Sequence, residues 1–251
     1  MAATLAQIWR HPVKGVSAEP LDRVALDAGQ PMAFDRRWAI AHGSSAFDSD
    51  SPAWVKRRNF VVQAHVPELA RTAARFDEAT ETLTLSHPSH GEVSLQPGRV
   101  EGAAALTDWI EPLAGAQQPG PYRIASIPGA HLADMEANYI SILSLASLRA
   151  LSQHAGTEMH VRRFRGNLWL EGLAPWEEES WIGKEIAIGP VRLRVDEPIG
   201  RCRATEASPQ TGAYDVQTVH LLQKTRDHTE FGVYATVIAG GDLAVGATVE
   251  V

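Results

Sequence analysis

The chain has a single cysteine, Cys202, set in the run Glu197-Pro198-Ile199-Gly200-Arg201-Cys202-Arg203-Ala204-Thr205. A free cysteine is more often a small buried hydrophobe than a reactive group. Here, however, a guanidinium flanks it on each side and a Pro-x-Gly turn precedes it. Neighbouring cations lower a thiol's pKa and favour the thiolate. Thiolate is the form that ligates a soft metal or attacks an electrophile, and the residues alone leave both roles open. One cysteine also excludes an intramolecular disulfide and a cysteine-rich zinc or iron–sulfur site within the chain.

Three further segments join a turn or strand signal to a cation. His11-Pro12-Val13-Lys14-Gly15 follows the opening strand, where a lysine beside Pro and Gly can reach into a pocket; taken alone, a surface turn lysine is the commoner reading. Phe34-Asp35-Arg36-Arg37-Trp38 sets a carboxylate and two guanidinium groups before a strand. In isolation that is a surface salt bridge of little energetic weight, yet one arginine could enter a cavity with the carboxylate holding it. Arg162-Arg163-Phe164-Arg165-Gly166-Asn167 leads into an apolar strand. Alternation would put Arg163 and Arg165 on one face. Guanidinium forks there bind phosphate well, and a basic edge strand that discourages aggregation is the competing reading.

The elements that position these groups follow from period and punctuation. Residues 4–9, 21–27, 37–41 and 82–86 alternate as strands, with turns at His11-Pro12, Asp27-Ala28-Gly29 and His87-Pro88-Ser89-His90-Gly91. Residues 101–114 change to a helical period through Leu106, Trp109, Ile110 and Leu113. Gln117-Gln118-Pro119-Gly120-Pro121 is a breaker and the candidate boundary between units 1–117 and 118–251. Beyond it, 144–154 and 216–225 read as helices, and 167–171, 185–188, 191–195, 231–239 and 247–251 as strands. Many short strands and few helices predict a β-rich α+β protein with a barrel-like core.

Composition narrows the function. A formal net charge of −7 argues against nucleic acid as a partner. The longest uncharged apolar stretch, residues 137–148, falls short of the ~18 residues a membrane span needs, and residues 1–14 are too short and interrupted for a signal peptide. A cytoplasmic protein without a membrane partner is expected. Dinucleotide, P-loop, nucleophile-elbow and H-E-x-x-H motifs are all absent. His87 and His90 flank Pro88, so they read as a solvated loop rather than a helical metal pair.

In order and spacing these pieces resemble the MOSC family, named for the carboxy-terminal domain of molybdenum cofactor sulfurase, and within it the amidoxime-reducing components. The resemblance covers nearly the whole chain. It rests on His11-Pro12-Val13-Lys14-Gly15, Asp35-Arg36-Arg37-Trp38, Leu143-Ser144-Leu145-Ala146-Ser147-Leu148, Phe164-Arg165-Gly166-Asn167, Glu178-Glu179-Ser180-Trp181, Arg201-Cys202 with Thr205, and Phe231-Gly232.

The resemblance implies a mixed β-barrel MOSC core with an amino-terminal β-barrel-like unit. It implies a molybdenum cofactor in which a pterin dithiolene holds the metal. Cys202 matches the metal-ligating thiolate, and Lys14, Arg36 and Arg165 match positions that hold the pterin and its phosphate. Arg201, Asn167, Thr205, Asn138, Ser144 and Ser147 are further cofactor-binding candidates. Gly15 stands for the family's serine, Gly166 for its proline, Gly200 for a serine of some relatives, and Ser208-Pro209 for Asp-Pro. A stand-alone MOSC protein is expected, because the chain carries neither a ferredoxin-like cysteine cluster nor a pyridoxal-phosphate domain. Two functions are implied. One is a molybdenum-dependent oxidoreductase that takes oxygen from N-hydroxylated small molecules, served by a ferredoxin- or flavoprotein-type electron donor. The other is a carrier or sulfur-transfer module that uses Cys202 to supply an acceptor molybdoenzyme.

Overall fold

The structure, a computed structural model, describes residues 2–16 and 18–251. Its centre is the five-residue strand Ile140–Ser144, every residue of which is buried. Both faces are covered, the alternation Ile140-Ser141-Ile142 breaks at Leu143, and a period-based reading passes over so short a segment. A helix, Leu145–Ala155, comes directly after it and returns the chain to the strand Leu168–Glu171, which pairs in parallel with the first. This is a strand–helix–strand crossover, the connection parallel pairing requires.

Numbered along the chain, the strands are β1 (Thr4–Arg10), β2 (Glu19–Leu21), β3 (Arg23–Leu26), β4 (Ala39–Ala41), β5 (Ala73–Asp77), β6 (Thr82–His87), β7 (Gly91–Leu95), β8 (Arg123–Ala125), β9 (Ile140–Ser144), β10 (Leu168–Glu171), β11 (Glu185–Ile188), β12 (Val191–Gly200), β13 (Glu230–Ala239), β14 (Gly241–Ala244) and β15 (Val249–Glu250). The helices are α1 (Val100–Ala114), α2 (Leu145–Ala155) and α3 (Thr218–Arg226). Eight strands form one mixed sheet in the order β15-β11-β12-β13-β9-β10-β1-β2. One core, with Leu5, Ile8, Ile142, Leu168, Leu193 and Val233, lies against this sheet, and a second, with Leu143, Leu148, Phe164, Trp169 and Phe231, fills the space toward α2.

The α+β, β-rich class holds, but the barrel needs correction. Among the described residues the large sheet is open, ending at β15 and β2. The start of β1 meets the chain around residues 246–249 through the isolated bridge Thr4 to Thr248 and a few backbone hydrogen bonds, without a strand ladder. The strand expected over 247–251 shrinks to the two residues of β15, too short to close a ladder. The amino-terminal region likewise forms small separate sheets, the β5-β6-β7 meander among them, with α1 packed against the meander through Leu106, Ile110 and Leu113. Pairing crosses residue 117 repeatedly: β1 with β10, β3 with β14, and β4 with β8. The expected strand 21–27 is broken at Asp22 into β2 and β3. His87 is buried, its ring 3.2 Å from the Glu68 carbonyl, so the loop is not simply solvated.

The β12–β13 ribbon delivers the cysteine. Its register shifts between Val195 and Glu197 and again between Pro198 and Gly200. Bulges bend a strand and re-aim the residues beyond them. Pro198 is tolerated because β11 pairs with β12 only as far as Arg194, leaving no neighbour on that side to want its missing N–H.

Ser144 caps α2, its Oγ accepting from the amides of Ala146 and Ser147 at 3.2 and 3.3 Å. Ser147 Oγ accepts the Trp176 amide at 2.8 Å and donates to Glu178 Oε2 at 2.9 Å. Glu178 is fully buried, and its other oxygen has no hydrogen-bond partner among the described residues. Burial pushes its carboxyl up from 4.5 to about 7. The folded pKa therefore exceeds the unfolded one, and the folded state is favoured while the group is protonated. Stability should fall as pH rises from about 4.5 to about 7, by on the order of 3 kcal/mol from this group. Urea denaturation across that window should show the fall in the parent and its loss in Glu178→Gln; an equal slope in both would refute the assignment.

Candidate functional site: a cationic cleft around the single cysteine

Lys14 is placed by a tight crossing of two segments. Val13 bridges Trp38 in parallel, and the Lys14 amide donates to the Trp38 carbonyl at 2.8 Å. Gly15 then takes φ +73, where a Cβ would lie 2.7 Å from Val62 Cα and 2.8 Å from Val61 O. Glycine is required at this position on both counts. The hydroxyl that the family's serine would carry has no room here.

Arg36 and Arg165 both adopt left-handed backbone, at φ 49 and 51. For residues with a Cβ this costs roughly 1–2 kcal/mol each, so surrounding bonds must over-determine it. Asp35 Oδ1 accepts the His11 amide at 2.7 Å, the Arg36 amide donates to the His11 carbonyl at 2.7 Å, and the Leu132 amide donates to the Arg36 carbonyl at 2.8 Å. The Arg36 guanidinium pairs with Asp35 and donates to the Arg165 carbonyl at 2.7 Å. One cation is thus held by the backbone of the other. The arginine run leads into β10 as expected but is not itself extended: Val161–Arg163 is a 3-10 turn, and Arg163 points a bidentate pair at Asp215, 2.7 Å in each arm.

Arg201 and Cys202 leave the end of β12. The Arg201 guanidinium sits over the rings of Phe164 and Phe231, at 5.6 and 5.8 Å, and donates to both their carbonyls. Cys202 opens a 3-10 turn whose Thr205 donates to the Cys202 carbonyl from N at 3.1 Å and from Oγ1 at 3.0 Å. From the amino-terminal half, Gln63 donates to Ala204 O at 2.9 Å and so steadies the cysteine turn.

These groups line one cleft of about 110 Å³, open to solvent, which brings together Lys14, Arg36, Arg165, Arg201, Cys202, Asn167 and Thr205. The sequence reading missed Asp134, Tyr139, Tyr234, Gln63 and Arg57 on its walls. Tyr234 was legible as an alternating residue of β13, whereas Asp134 and Gln63 lie in irregular chain without a local signal. Asn167 lines the cleft, but its amide is committed: Oδ1 accepts from Ser141 Oγ at 2.7 Å and Nδ2 donates to Trp9 O at 3.2 Å, stitching β9, β10 and β1 together. Asn138, Ser144 and Ser147 do not line it. Asn138 donates to Gly29 O at 2.9 Å, and the two serines serve the α2 cap and Glu178.

The lining holds six cationic side chains (Lys14, Arg36, Arg57, Arg163, Arg165, Arg201) against two carboxylates, Asp35 and Asp134. In a chain of net charge −7 this is a strong local inversion. Burial drives the Arg165 guanidinium down to about 9, with Arg36 adding to the effect, and Arg201 down to about 10. Burial also lowers Lys14, against the pull of Asp134. Burial opposes the charge on Arg36 too, but the Asp35 ion pair more than offsets it. Cations disfavoured by burial and by one another are stabilised by an incoming anion. The donor set therefore fits a ligand that joins an anionic group to a thiophilic centre, with guanidinium and ammonium groups for the first and a thiol for the second.

Two of the three glycines that depart from the pattern beside the charges, Gly15 and Gly200, separate cleanly. Gly15→Ser should destabilise the protein by about 3 kcal/mol through overlap and left-handed strain. Gly200→Ser should leave stability within about 0.5 kcal/mol, since a Cβ there meets nothing within 4 Å among the described residues. Thermal melts of both variants check this, and equal melting temperatures would contradict the packing at residue 15.

Residues 2–108 match the family model of the MOSC N-terminal beta barrel domain, and residues 128–250 match that of the MOSC domain. The chain is 25% identical over 242 residues to human mitochondrial amidoxime-reducing component 1, covering 83% of this chain and 67% of that protein. It is 33% identical over 85 residues to molybdenum cofactor sulfurase 2 of Culex quinquefasciatus, covering 34% of this chain and 11% of that protein. The chain thus spans about a tenth of the sulfurases it matches and two thirds of the amidoxime-reducing component. Among solved structures, the YUAD protein from Bacillus subtilis aligns over 99% of this chain and 94% of its own at 11% identity, with a TM-score of 0.46, too distant to bear on the site. With both family models matched in order along nearly its whole length, the chain belongs to the MOSC family.

Proposed function

We propose that this protein is a molybdenum-cofactor-binding oxidoreductase that removes oxygen from N-hydroxylated small molecules. The observation that carries this reading is the cleft itself, where the one thiol of the chain shares walls with Lys14, Arg36, Arg165 and Arg201. When bound, the cofactor supplies a centre that accepts an oxygen atom and exchanges two electrons. Lys14, Arg36 and Arg165 would hold its anionic tail, and Cys202 would supply a thiolate to the metal. Thr205 and Gln63 keep the cysteine turn in place. Burial raises the Tyr234 phenol, so it keeps its proton at neutral pH on the cleft wall. The net change is R–NHOH plus two electrons and two protons to R–NH2 and water. The electrons come from a ferredoxin- or flavoprotein-type donor, and the protons from solvent through the open cleft.

A second reading draws on the similarity to cofactor sulfurases over about a third of the chain. In it, Cys202 carries the cofactor, or a persulfide, to an acceptor molybdoenzyme. Protein from a host competent in cofactor synthesis should contain about one molybdenum per chain and reduce hydroxylamines or amidoximes with a chemical reductant, but not with NADH. Blank metal and pterin analyses would end the reading. Holo-protein inert toward every N-hydroxylated compound but able to load an acceptor enzyme would favour the carrier.

The thiol and the cations should fail differently. Charge-assisted bonds to the tail contribute about 1.5–3 kcal/mol each, so Cys202→Ser should keep much of its pterin, lose turnover and change the molybdenum paramagnetic spectrum. Arg36→Ala and Arg165→Ala should lower pterin content while retained metal keeps its spectrum. An unchanged spectrum in Cys202→Ser would rule out the thiolate as a ligand.

A further inference from the structure

The cleft already contains an anion of its own. Lys14 is 5% exposed, and its Nζ lies 2.5 Å from Asp134 Oδ1. Asp134 belongs to none of the elements that hold the cations. It begins a bend, residues 134–137, in which all four residues are exposed, and its own side chain is 49% exposed. The segment is pinned on either side. Trp54 Nε1 donates to Ala133 O at 3.0 Å, and Asn138 donates to Gly29 O at 2.9 Å. Between these pins Asp134 pairs with Lys14 and, at 3.9 Å, with Arg57. Asp134 therefore couples an exposed bend to the enclosed ammonium of the cleft. Lys14 holds the Asp134 carboxyl below its ordinary range although burial opposes this, so it is anionic throughout the neutral range.

The geometry points to Asp134 as a built-in competitor: its carboxylate neutralises Lys14 while the cleft is empty, and a phosphate dianion takes Lys14 only by displacing it and freeing the bend 134–137. This rests on the proposed function, in which the cations hold an anionic tail. A buried ammonium left without a partner is strongly disfavoured, so the carboxylate stabilises the empty protein. The same contact lowers affinity for the phosphate that replaces it, by the fraction of molecules in which Lys14 is occupied. It also sets a charge threshold. A singly charged ligand exchanges one carboxylate-like charge for another, whereas a dianion gains against the three cations Lys14, Arg36 and Arg165 at once.

The experiment uses the cofactor-free full chain and inorganic phosphate, with affinity read by calorimetry. Asp134→Asn should bind phosphate at least about fivefold more tightly than the parent while melting at a lower temperature in phosphate-free buffer. Asp134→Ser should behave alike, which guards against a defect peculiar to asparagine. In the Lys14→Met background the gain should vanish, because the contact that Asp134 competes for is gone. Hydrogen exchange on the parent is a second readout that needs no variant: saturating phosphate should speed exchange in residues 134–137, not slow it. Unchanged or weaker phosphate binding in Asp134→Asn, or slower exchange in the bend, would overturn the proposal, as would no phosphate binding by any form. Failure of the proposed function is distinguishable. A chain that never acquires molybdenum yet keeps the phosphate pattern refutes the oxidoreductase alone, and a molybdenum-loaded chain without that pattern refutes the competitor alone.

Discussion

The structure depends on keeping several positive charges together where water is scarce. Lys14, Arg36, Arg165 and Arg201 converge on one cleft, and burial and mutual repulsion disfavour the charge on each of them except Arg36, where Asp35 prevails. Such a cluster persists only if each cation has fixed neutral or anionic partners. Here they are mostly carbonyl oxygens: that of Arg165 for Arg36, and those of Phe164 and Phe231 for Arg201. Carbonyls orient a guanidinium without cancelling its charge, so the field of the cleft stays positive and ready for a ligand.

That requirement explains backbone features that would otherwise look like defects. Arg36 is left-handed where its amide meets His11 and its carbonyl meets Leu132, and Arg165 is left-handed where its carbonyl accepts from the Arg36 guanidinium. The bulges of β12 serve the thiol in the same way. They carry β12 past the end of β11 to Gly200, still paired with Glu230, and from there Arg201 and Cys202 leave the sheet. Asn167 contributes beneath the site rather than in it, since its amide joins three strands of the floor. Site and scaffold are the same residues viewed from two sides.

The departures from the family pattern also have packing reasons. At Gly166 a Cβ would fall 2.1 Å from Leu143 Cδ1, because Leu143 of β9 occupies the space a larger residue would fill. At Gly15 the neighbouring chain around Val61 and Val62 approaches too closely for any side chain. Gly200 faces open space, so its difference is free of such constraint.

How far the sequence reaches is clear from particular residues. Alternation located β1, β6, β11 and β13 and helical period located α1 and α2, because those elements have one covered face and the pattern records it. It passed over β9, which is buried on both faces and whose alternation breaks after three residues. Cys202 between two arginines, and Lys14, Arg36 and Arg165 each beside turn residues, were legible as cationic chemistry in local segments. That these four, together with Arg201, share one cleft was decided by the pairing of β1 with β10 and by contacts across more than a hundred residues of chain, such as Arg36 with Arg165. Tertiary structure alone also assigned Ser144 to a helix cap and Ser147 to Glu178, tied Asn138 to a distant turn, left the large sheet open, and set Asp134 on Lys14. The division has one cause. A short window of sequence records which way a side chain faces along its own element, whereas which distant group it meets depends on loop paths and strand register that no window contains.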